Sequence, residues 1–366
     1  MSVKNSKEII YSQKKLIVNK FKKHKFAVYS FYFLALLYTI TTFAEFFSLY
    51  PTFQRNREFL YAPPSSLHFF DKSGKFSILP FVYELKGELD MKTFQRTYVN
   101  NDKMKYKIVF FPKVESYSML FFTLNRKFVG IENGGQLFLM GTDGLGRDVF
   151  SRTLYGIRTS LYVGLVGLFF GLVLGLFFGG ISGYYGGGID NFIQRFIEFI
   201  QSLPTLPLWM ALATLVPPEW SPIQVYFSIS IVLAIIGWTG LARVVRGKLI
   251  SLREEDYVLA AKVCGARESD IILRHLLPGF SSYLIVHLTL AIPSMILGET
   301  SLSFLGLGIR PPAVSLGTLL QDAQNVQTVT MNPWLLFPGM FVILIVLAFS
   351  FLGDGIRDAA DPYKHH

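Results

Sequence analysis

Long runs without a charged residue constrain this chain more than any other feature of its sequence. A helix needs about 20 apolar residues to cross roughly 30 Å of hydrocarbon, and six runs are near or above that length. We therefore predict an all-α polytopic membrane protein with six transmembrane helices, in keeping with a composition that is 51% hydrophobic over 366 residues. The runs cover 26–44, 159–189, 199–218, 220–242, 276–298 and 323–353.

The distribution of lysine and arginine predicts the orientation of these helices. Eight lysines and one glutamate precede the first run, and Arg243–Arg274 carries seven basic residues. The connections 217–222 and 306–333 contain Arg310 as their one basic residue. Because lysine and arginine are enriched on the cytoplasmic side, we expect both termini to be cytoplasmic. The net charge of +10 then reflects topology and does not indicate nucleic-acid binding.

The stretch between the first and second runs, residues 48–140, is polar enough to form an extracytoplasmic insert. Alternating apolar and polar residues in "SLHFFDKSGKFSILPFVYEL" predict strands with a hairpin turn at Lys72–Lys75. Residues 106–111 and 136–141 are further strand candidates. We expect a β-containing insert, either structural or in contact with a partner.

Residues 141–158 predict an amphipathic helix that lies at the membrane surface before the second span. Thr142 or Asp143 is a candidate N-cap. The apolar side would contain Val149, Phe150, Leu154 and Ile157. We expect three arginines to lie near lipid headgroups: Arg147, Arg152 and Arg158.

Glycine recurs at every fourth position of the second run. On a helix this spacing produces a smooth face where another backbone can approach closely, as in the small-xxx-small packing of membrane helices. The pattern predicts a tight contact, either within the chain or with a second membrane subunit. The helix-packing glycines are Gly167, Gly171, Gly175, Gly179 and Gly183.

Three residues of the later spans are candidates for a pore lining or a helix kink. Pro204 and Pro293 fall inside apolar runs, where proline removes a backbone hydrogen bond and kinks a helix. A kink that serves helix packing explains these two prolines as well as a kinked, pore-lining helix does. Glu299 follows the fifth run; intramembrane acids often mark transport paths, but a position at the outer interface is the simpler interpretation.

The segment "DYVLAAKVCGARESDIILRHLLP", Asp256–Pro278, places a charged helical hairpin between two apolar runs. Acidic residues at the N-terminal end of the first helix stabilise that end. We expect Gly265 to end the first helix and Pro278 to end the second. Its small residues predict a compact knob for a groove on another protein; a helix lying on the inner leaflet is the alternative. The face contains Tyr257, Ala260, Ala261 and Cys264.

This segment resembles the cytoplasmic "EAA" loop of ABC importer permeases. The family pattern is Glu-Ala-Ala, three residues, Gly, nine residues and Ile-x-Leu-Pro, and Ala260, Ala261 and Gly265 match it. Leu259 and His275 replace the Glu and Ile, as in the dipeptide/oligopeptide/nickel branch. Three further segments are similar to that branch: "GTDGLGRDVFSRTLYGIRTSL", "ETSLSFLGLGIRPPAVSLG" and "GDGIRDAADP".

The resemblance implies the type I ABC importer permease fold and half of a translocation pore for peptides or peptide-like solutes. The implied partners are a second permease, two cytoplasmic ATP-binding subunits, an extracytoplasmic solute-binding protein and the lipid of a bacterial or archaeal inner membrane. We expect no catalytic residue, metal or cofactor in this chain, because a Walker A motif is absent and ATP and Mg would be bound by the partners. The implied ATPase-coupling residues are Glu255, Asp256, Tyr257, Ala260, Ala261, Gly265, Ala266, Arg267 and Asp270.

The alternative function is a secondary transporter driven by an ion gradient, which should show repeated half-bundles and ionisable or broken helices at mid-membrane. A membrane enzyme fits less well, because His68 and His287 are isolated. The substrate stays open among peptides, nickel chelates, opines and peptide-like antibiotics. The expected divisions are a basic N-terminus (1–25), a first span (26–47), the insert (48–140), the interfacial helix (141–158), a five-helix core (159–356) with a cytoplasmic coupling loop (245–280), and the C-terminus (357–366).

Overall fold

The computed structural model describes residues 13–360, apart from gaps at 72–74, 90, 92–95, 120–121 and 277–278. Its described part is a helical bundle with a β-rich insert between the third and fourth helices. Two sequence predictions fall on the gaps: the tip of the hairpin turn at Lys72–Lys75 and the stop at Pro278 lie outside the described residues.

The helices vary from single turns to rods long enough to cross a membrane. A π-helical turn at Ile271–Leu276 follows α9, and a 3₁₀ turn at Pro333–Leu336 precedes the last helix. The helices are α1 (Gln13–Lys23), α2 (Lys25–Thr42), α3 (Ala44–Phe47), α4 (Val149–Tyr185), α5 (Gly187–Ser202), α6 (Thr205–Thr214), α7 (Pro222–Leu252), α8 (Asp256–Val263), α9 (Glu268–Asp270), α10 (Ser281–Phe304), α11 (Leu316–Gln321), α12 (Val326–Met331) and α13 (Phe337–Ala360).

Within the described residues, four helices are long and apolar enough to cross a membrane: α4, α7, α10 and the unit Pro333–Ala360 that contains α13. The pair α5 and α6 makes a fifth if its two parts, bent by 90°, count as one span. The first predicted span corresponds to α2, which has 18 residues and does not belong to this set. The predicted count of six is therefore not confirmed.

Several predicted span boundaries are wrong because charge-free sequence marks residues that tolerate hydrocarbon, whereas backbone conformation decides where a helix ends. The second run is divided at Gly186, where φ is +66° and α4 ends. The third run is divided at Pro204, between α5 and α6. The fourth continues as helix to Leu252, past the expected start of the loop at 245. The last spanning unit begins at Pro333 instead of residue 323 and reaches Ala360.

The insert contains an antiparallel sheet in the order β1-β2-β3-β6 and a separate hairpin of β4 and β5. Residues 106–110 belong to β3, but residues 136–141 form no strand, contrary to prediction. The backbone N–H groups of Leu137 and Phe138 donate to the side chains of Tyr50 and Ser65 instead of to a neighbouring strand. The strands are β1 (His68–Phe70), β2 (Phe76–Leu89), β3 (Arg96–Phe110), β4 (Lys113–Met119), β5 (Phe122–Arg126) and β6 (Val129–Ile131).

The predicted interfacial helix at 141–158 is wrong as a separate element. Thr142 pairs with Asp148 in an isolated bridge, so the stretch between them is a loop, and α4 then runs without a break from Val149. The N-cap is Asp148, whose carboxylate accepts a hydrogen bond from Ser151 N at 2.8 Å, rather than Thr142 or Asp143. No proline interrupts the sequence between this cap and the apolar run, so the helix continues into it.

The three arginines of this region lie against carboxylates of the protein, contrary to the prediction of lipid headgroups. Arg147 and Arg152 both pair with the buried Asp143. Arg158 pairs with Glu45 of α3 at 2.8 Å. Since a buried carboxylate needs cationic or hydrogen-bonding partners, these arginines attach the loop and α3 to the start of α4.

The glycine face of α4 packs on α7 of the same chain. All five glycines of the stripe are buried. A Cβ atom built on Gly179 would lie 2.5 Å from Ala242 O, and one on Gly183 would lie 2.8 Å from Arg246 O. The backbones of α4 and α7 therefore approach as closely as small residues permit. The packed helices α4 and α7 support the segment that follows α7.

Candidate functional site

The candidate site is the segment between α7 and α10, residues 253–280, which we call the interhelical loop. It contains α8, α9 and the π-helical turn. The chain reverses at Gly265, whose φ of +77° favours glycine. Just beyond it, Ala266 N donates to Ala261 O at 3.1 Å and so satisfies a carbonyl at the end of α8. Two short helical parts thus lie on either side of Gly265.

One side of the interhelical loop is anchored by apolar packing. Val258, Ile271 and Leu276 are fully or almost fully buried, and they pack with Leu249 of α7. Tyr184 at the end of α4 packs against the same cluster. Each buried side chain of this size contributes roughly 1.5–3 kcal/mol, so the loop is held firmly against the ends of α4 and α7.

The other side of the interhelical loop is uncovered and partly apolar. Val263 is 89% exposed and Tyr257 is 44% exposed, next to the exposed Leu259. Exposed apolar groups of this kind mark interaction surfaces. Among the coupling residues expected from the sequence, those exposed are Glu255, Asp256, Tyr257, Ala260, Gly265 and Arg267, and those partly buried are Ala261, Ala266 and Asp270.

A polar contact also attaches the interhelical loop to α4. The hydroxyl of Tyr185, the last residue of α4, donates to Glu268 Oε2 at 2.7 Å. Nearby, Arg253 lies within 3.4 Å and 3.5 Å of the carbonyl oxygens of Gly183 and Tyr184. The end of α4 is therefore bound to the loop by side-chain and main-chain groups together.

An ion pair beside the loop connects α5 to α7. Arg246 donates to both carboxylate oxygens of Asp190 at 2.5 Å, and Ser182 also donates to Asp190. Sequence reasoning missed this pair. The available signal was that Asp190 is an acid at the junction of two apolar runs and needs a partner there.

Glu299 is enclosed within the core of this chain. It is 0% exposed within α10. Ser160 of α4 and Ser303 donate to its two carboxylate oxygens, each at 2.6 Å. The same hydroxyls accept from backbone N–H groups of the connection after α10, at Leu316 and Ile309. Glu299 therefore organises that connection. Pro293 is buried as well.

The far end of α4 holds a second group of acids, in which Asp143 and Asp148 are buried and Asp322 is exposed. Burial raises the pKa of Asp148, which is 4% exposed, to about 6. Burial also raises the pKa of Asp322, and the neighbouring charge of Asp143 adds to the shift. Among the described residues no group of three or more His, Cys, Asp or Glu side chains could hold a metal ion.

Comparison with known proteins gives two family matches. The model for the binding-protein-dependent transport system inner membrane component matches residues 138–365. The model for the N-terminal TM domain of oligopeptide transport permease C matches residues 12–64. The first covers the helical bundle from the start of α4 together with the interhelical loop. The second covers α1 to α3, so residues between the two matches are mostly those of the insert.

Two curated relatives agree with these matches. The dipeptide transport system permease protein DppC of Bacillus subtilis is 42% identical over 224 residues, 61% of this chain and 68% of the relative. The oligopeptide transport system permease protein OppC of Haemophilus influenzae is 43% identical over 223 residues, 61% of this chain and 69% of the relative.

Among solved structures, an inward-facing MetNI methionine ABC transporter aligns with a TM-score of 0.43 at 21% identity, over 58% of this chain and 97% of that chain. A second inward-facing form aligns with a TM-score of 0.45 at 20% identity, over 57% and 96%. The family assignment rests on the sequence matches, of which the first alone covers more than half of the chain. The chain belongs to the family of binding-protein-dependent transport system inner membrane components.

Proposed function

We propose that the chain is the permease subunit of an ATP-driven importer and forms half of a translocation pore for peptides or peptide-like solutes. The match to binding-protein-dependent transport components over residues 138–365 carries this proposal. The relatives named above are dipeptide and oligopeptide permeases, which favours the same substrate class here. In this proposal α2 and the bent pair α5–α6 complete six spans of the type I permease fold in the inner membrane, with both termini cytoplasmic.

The interhelical loop is the proposed contact with a cytoplasmic ATPase. Its uncovered side offers small residues, Ala260 and Gly265, next to the apolar Tyr257 and Val263. A knob of this shape suits a groove on a partner protein. Its opposite side is buried against α7, so a displacement of the loop moves the bundle as well. ATP and Mg are bound by the partner in this scheme, and the chain itself supplies no catalytic group.

The remaining proposed partners are a second permease subunit, a second ATP-binding subunit and an extracytoplasmic solute-binding protein. The glycine face of α4 is already occupied by α7, so the second permease contacts other surfaces. Pro204 at the bend between α5 and α6 remains a proposed pore or kink position. Pro293 and Glu299 are buried inside this chain, which favours a packing role for them over a pore lining.

The first experiment is purification of the chain from native membranes in mild detergent, followed by mass spectrometry and by uptake measurements in proteoliposomes. Recovery of ATP-binding proteins and a second permease, with peptide uptake that requires ATP, supports the importer. Uptake by the chain without any ATPase, driven by an ion gradient, would instead establish the secondary transporter.

A pair of glycine variants tests the loop contact. Gly265 and Gly134 both have positive φ, +77° and +72°, and a Cβ atom on either would meet nothing within 4 Å. Both tryptophan variants therefore carry similar backbone strain of about 1–2 kcal/mol, but only Gly265 lies on the interhelical loop. We expect Gly265→Trp to abolish ATPase binding and ATP-dependent uptake, and Gly134→Trp in the insert to retain both. Normal uptake with Gly265→Trp would exclude the loop as the contact.

A further inference from the structure

The corner between α4 and α5 has the backbone of a hinge. Gly186, Gly187 and Gly188 follow one another, and φ is +66° at the first and +59° at the second. A Cβ atom on Gly187 or Gly188 would meet nothing within 4 Å. A Cβ atom on Gly186 would lie 3.3 Å from Nη1 of Arg253. Glycine tolerates large backbone changes. We call Tyr185–Gly188 the glycine corner.

Contacts from the interhelical loop converge on one side of the glycine corner. Tyr185 donates to Glu268 at 2.7 Å, and Tyr184 packs into the cluster that buries Val258 and Ile271 of the loop. The loop and the end of α4 are therefore joined by both an apolar contact and a hydrogen bond to a carboxylate, a bond class of above-average strength.

Contacts from α7 hold the other side of the glycine corner. Arg246 donates two hydrogen bonds to Asp190 in the first turn of α5. Ser182 of α4 extends this network across the corner, because it donates to Asp190 and accepts from Gln194 of α5. A planar guanidinium that donates two bonds to one carboxylate fixes orientation as well as distance. The first turn of α5 is therefore joined to α7 through Arg246 and to the end of α4 through Ser182.

We propose that the glycine corner transmits displacement of the interhelical loop to the bent pair α5–α6, with Tyr185 and Glu268 as positioning residues for coupling. The inference rests on the proposed ATP-driven import. When the loop moves, the Tyr185–Glu268 hydrogen bond moves the end of α4, and the bonds of Ser182 and Arg246 to Asp190 carry α5 with it. Pro204, at the 90° bend, then carries the change into α6.

The test uses the complete transporter in proteoliposomes, with ATP hydrolysis and peptide uptake measured on the same samples. Tyr185→Phe removes one hydroxyl from an exposed side chain, and Glu268→Ala removes the carboxylate that accepts its hydrogen bond. Tyr283→Phe is the matched control at the same end of the bundle, because the ring that faces Lys248 is retained. Subunit recovery after purification establishes that each variant is assembled.

We expect Tyr185→Phe and Glu268→Ala each to raise the ATP consumed per peptide by about two- to tenfold, the range for loss of one hydrogen bond. The double variant should lose no more than either single variant, because both remove the same contact. Tyr283→Phe should match the unmodified transporter. A merely structural role for Tyr185 would lower recovery and leave the ratio of ATP to peptide unchanged.

An unchanged ratio in assembled Tyr185→Phe, or losses that add in the double variant, would overturn the proposed transmission through the corner. Failure of the unmodified transporter to couple ATP hydrolysis to uptake would instead reject the proposed function. The two failures are distinguishable because they appear in different samples.

Discussion

The contact between α4 and α7 depends on glycine to a degree that differs sharply from one position to the next. A Cβ atom on Gly179 would lie 2.5 Å from Ala242 O and 2.8 Å from Val245 Cβ. Comfortable separations between non-bonded heavy atoms are about 3.5–4.0 Å, so α4 and α7 would have to separate by about 1 Å. Overpacking of this kind costs about 1–3 kcal/mol, and Gly179→Ala should destabilise the chain by that amount.

Gly171 provides the matched control on the same face of the same helix. A Cβ atom there would lie 3.9 Å from Trp238 N and 4.0 Å from Met295 Cε, which are ordinary contacts. Alanine also favours helix over glycine by up to about 1 kcal/mol. Gly171→Ala should therefore leave stability unchanged or slightly raised, although it adds the same methyl group to the same stripe.

Thermal unfolding of the purified protein in mild detergent, followed by size-exclusion chromatography of heated samples, measures the difference. The expected order of melting temperatures is Gly179→Ala below the unmodified chain and Gly171→Ala at or above it. Equal losses in both variants would mean that the stripe as a whole, and not the distance at each position, sets the tolerance. Unchanged stability of Gly179→Ala would refute the close contact itself.

Two further predictions concern buried acids. Because burial raises the pKa of Asp148 to about 6, the folded chain binds that proton more tightly than the unfolded chain. Stability should therefore fall by up to about 3 kcal/mol as pH rises from about 4 to 6. Asp148→Asn keeps a cap acceptor for Ser151 and should reduce the change of stability with pH, measured by thermal unfolding between pH 4 and 7. An unaltered pH dependence would assign it to other groups. Glu299→Ala leaves the hydroxyls of Ser160 and Ser303 without their acceptor and should lower the free energy of unfolding by about 3 kcal/mol. Glu299→Gln should lower it by less. Melting temperatures of both variants equal to that of the unmodified chain would contradict the proposed network.

The differences between expectation and structure share a physical cause. Charge patterns show which residues tolerate hydrocarbon, but they do not show where α4 bends at Gly186 or where α7 ends at Leu252. The arginines illustrate the same limit. A sequence shows that Arg152 follows an aspartate-rich stretch, but only the folded chain brings Asp143 next to it and buries both.

The candidate site was identified in part from the sequence alone. The spacing of Ala260, Ala261 and Gly265 pointed to the loop through its resemblance to the "EAA" pattern. Local properties alone, such as small side chains and a glycine stop, also allowed a helix on the inner leaflet. The contacts from Tyr185 to Glu268 and from Asp190 to Arg246 were not predicted, because they join residues distant in sequence. The contact between Ser160 of α4 and Glu299 was not predicted for the same reason.

By itself, the sequence determined that this chain has several apolar helices, that a polar insert follows the first of them, and that its motifs are those of a transport permease. These properties depend on composition, on helical periodicity and on short spacings, which persist in any conformation of the chain. Only the tertiary structure decided that the glycine stripe of α4 packs on α7, that Glu299 is enclosed, and that the interhelical loop is attached to the glycine corner. Those outcomes depend on which side chains, distant in sequence, are buried against each other. In the buried core, packing distances and the pairing of charges set the free energy of folding.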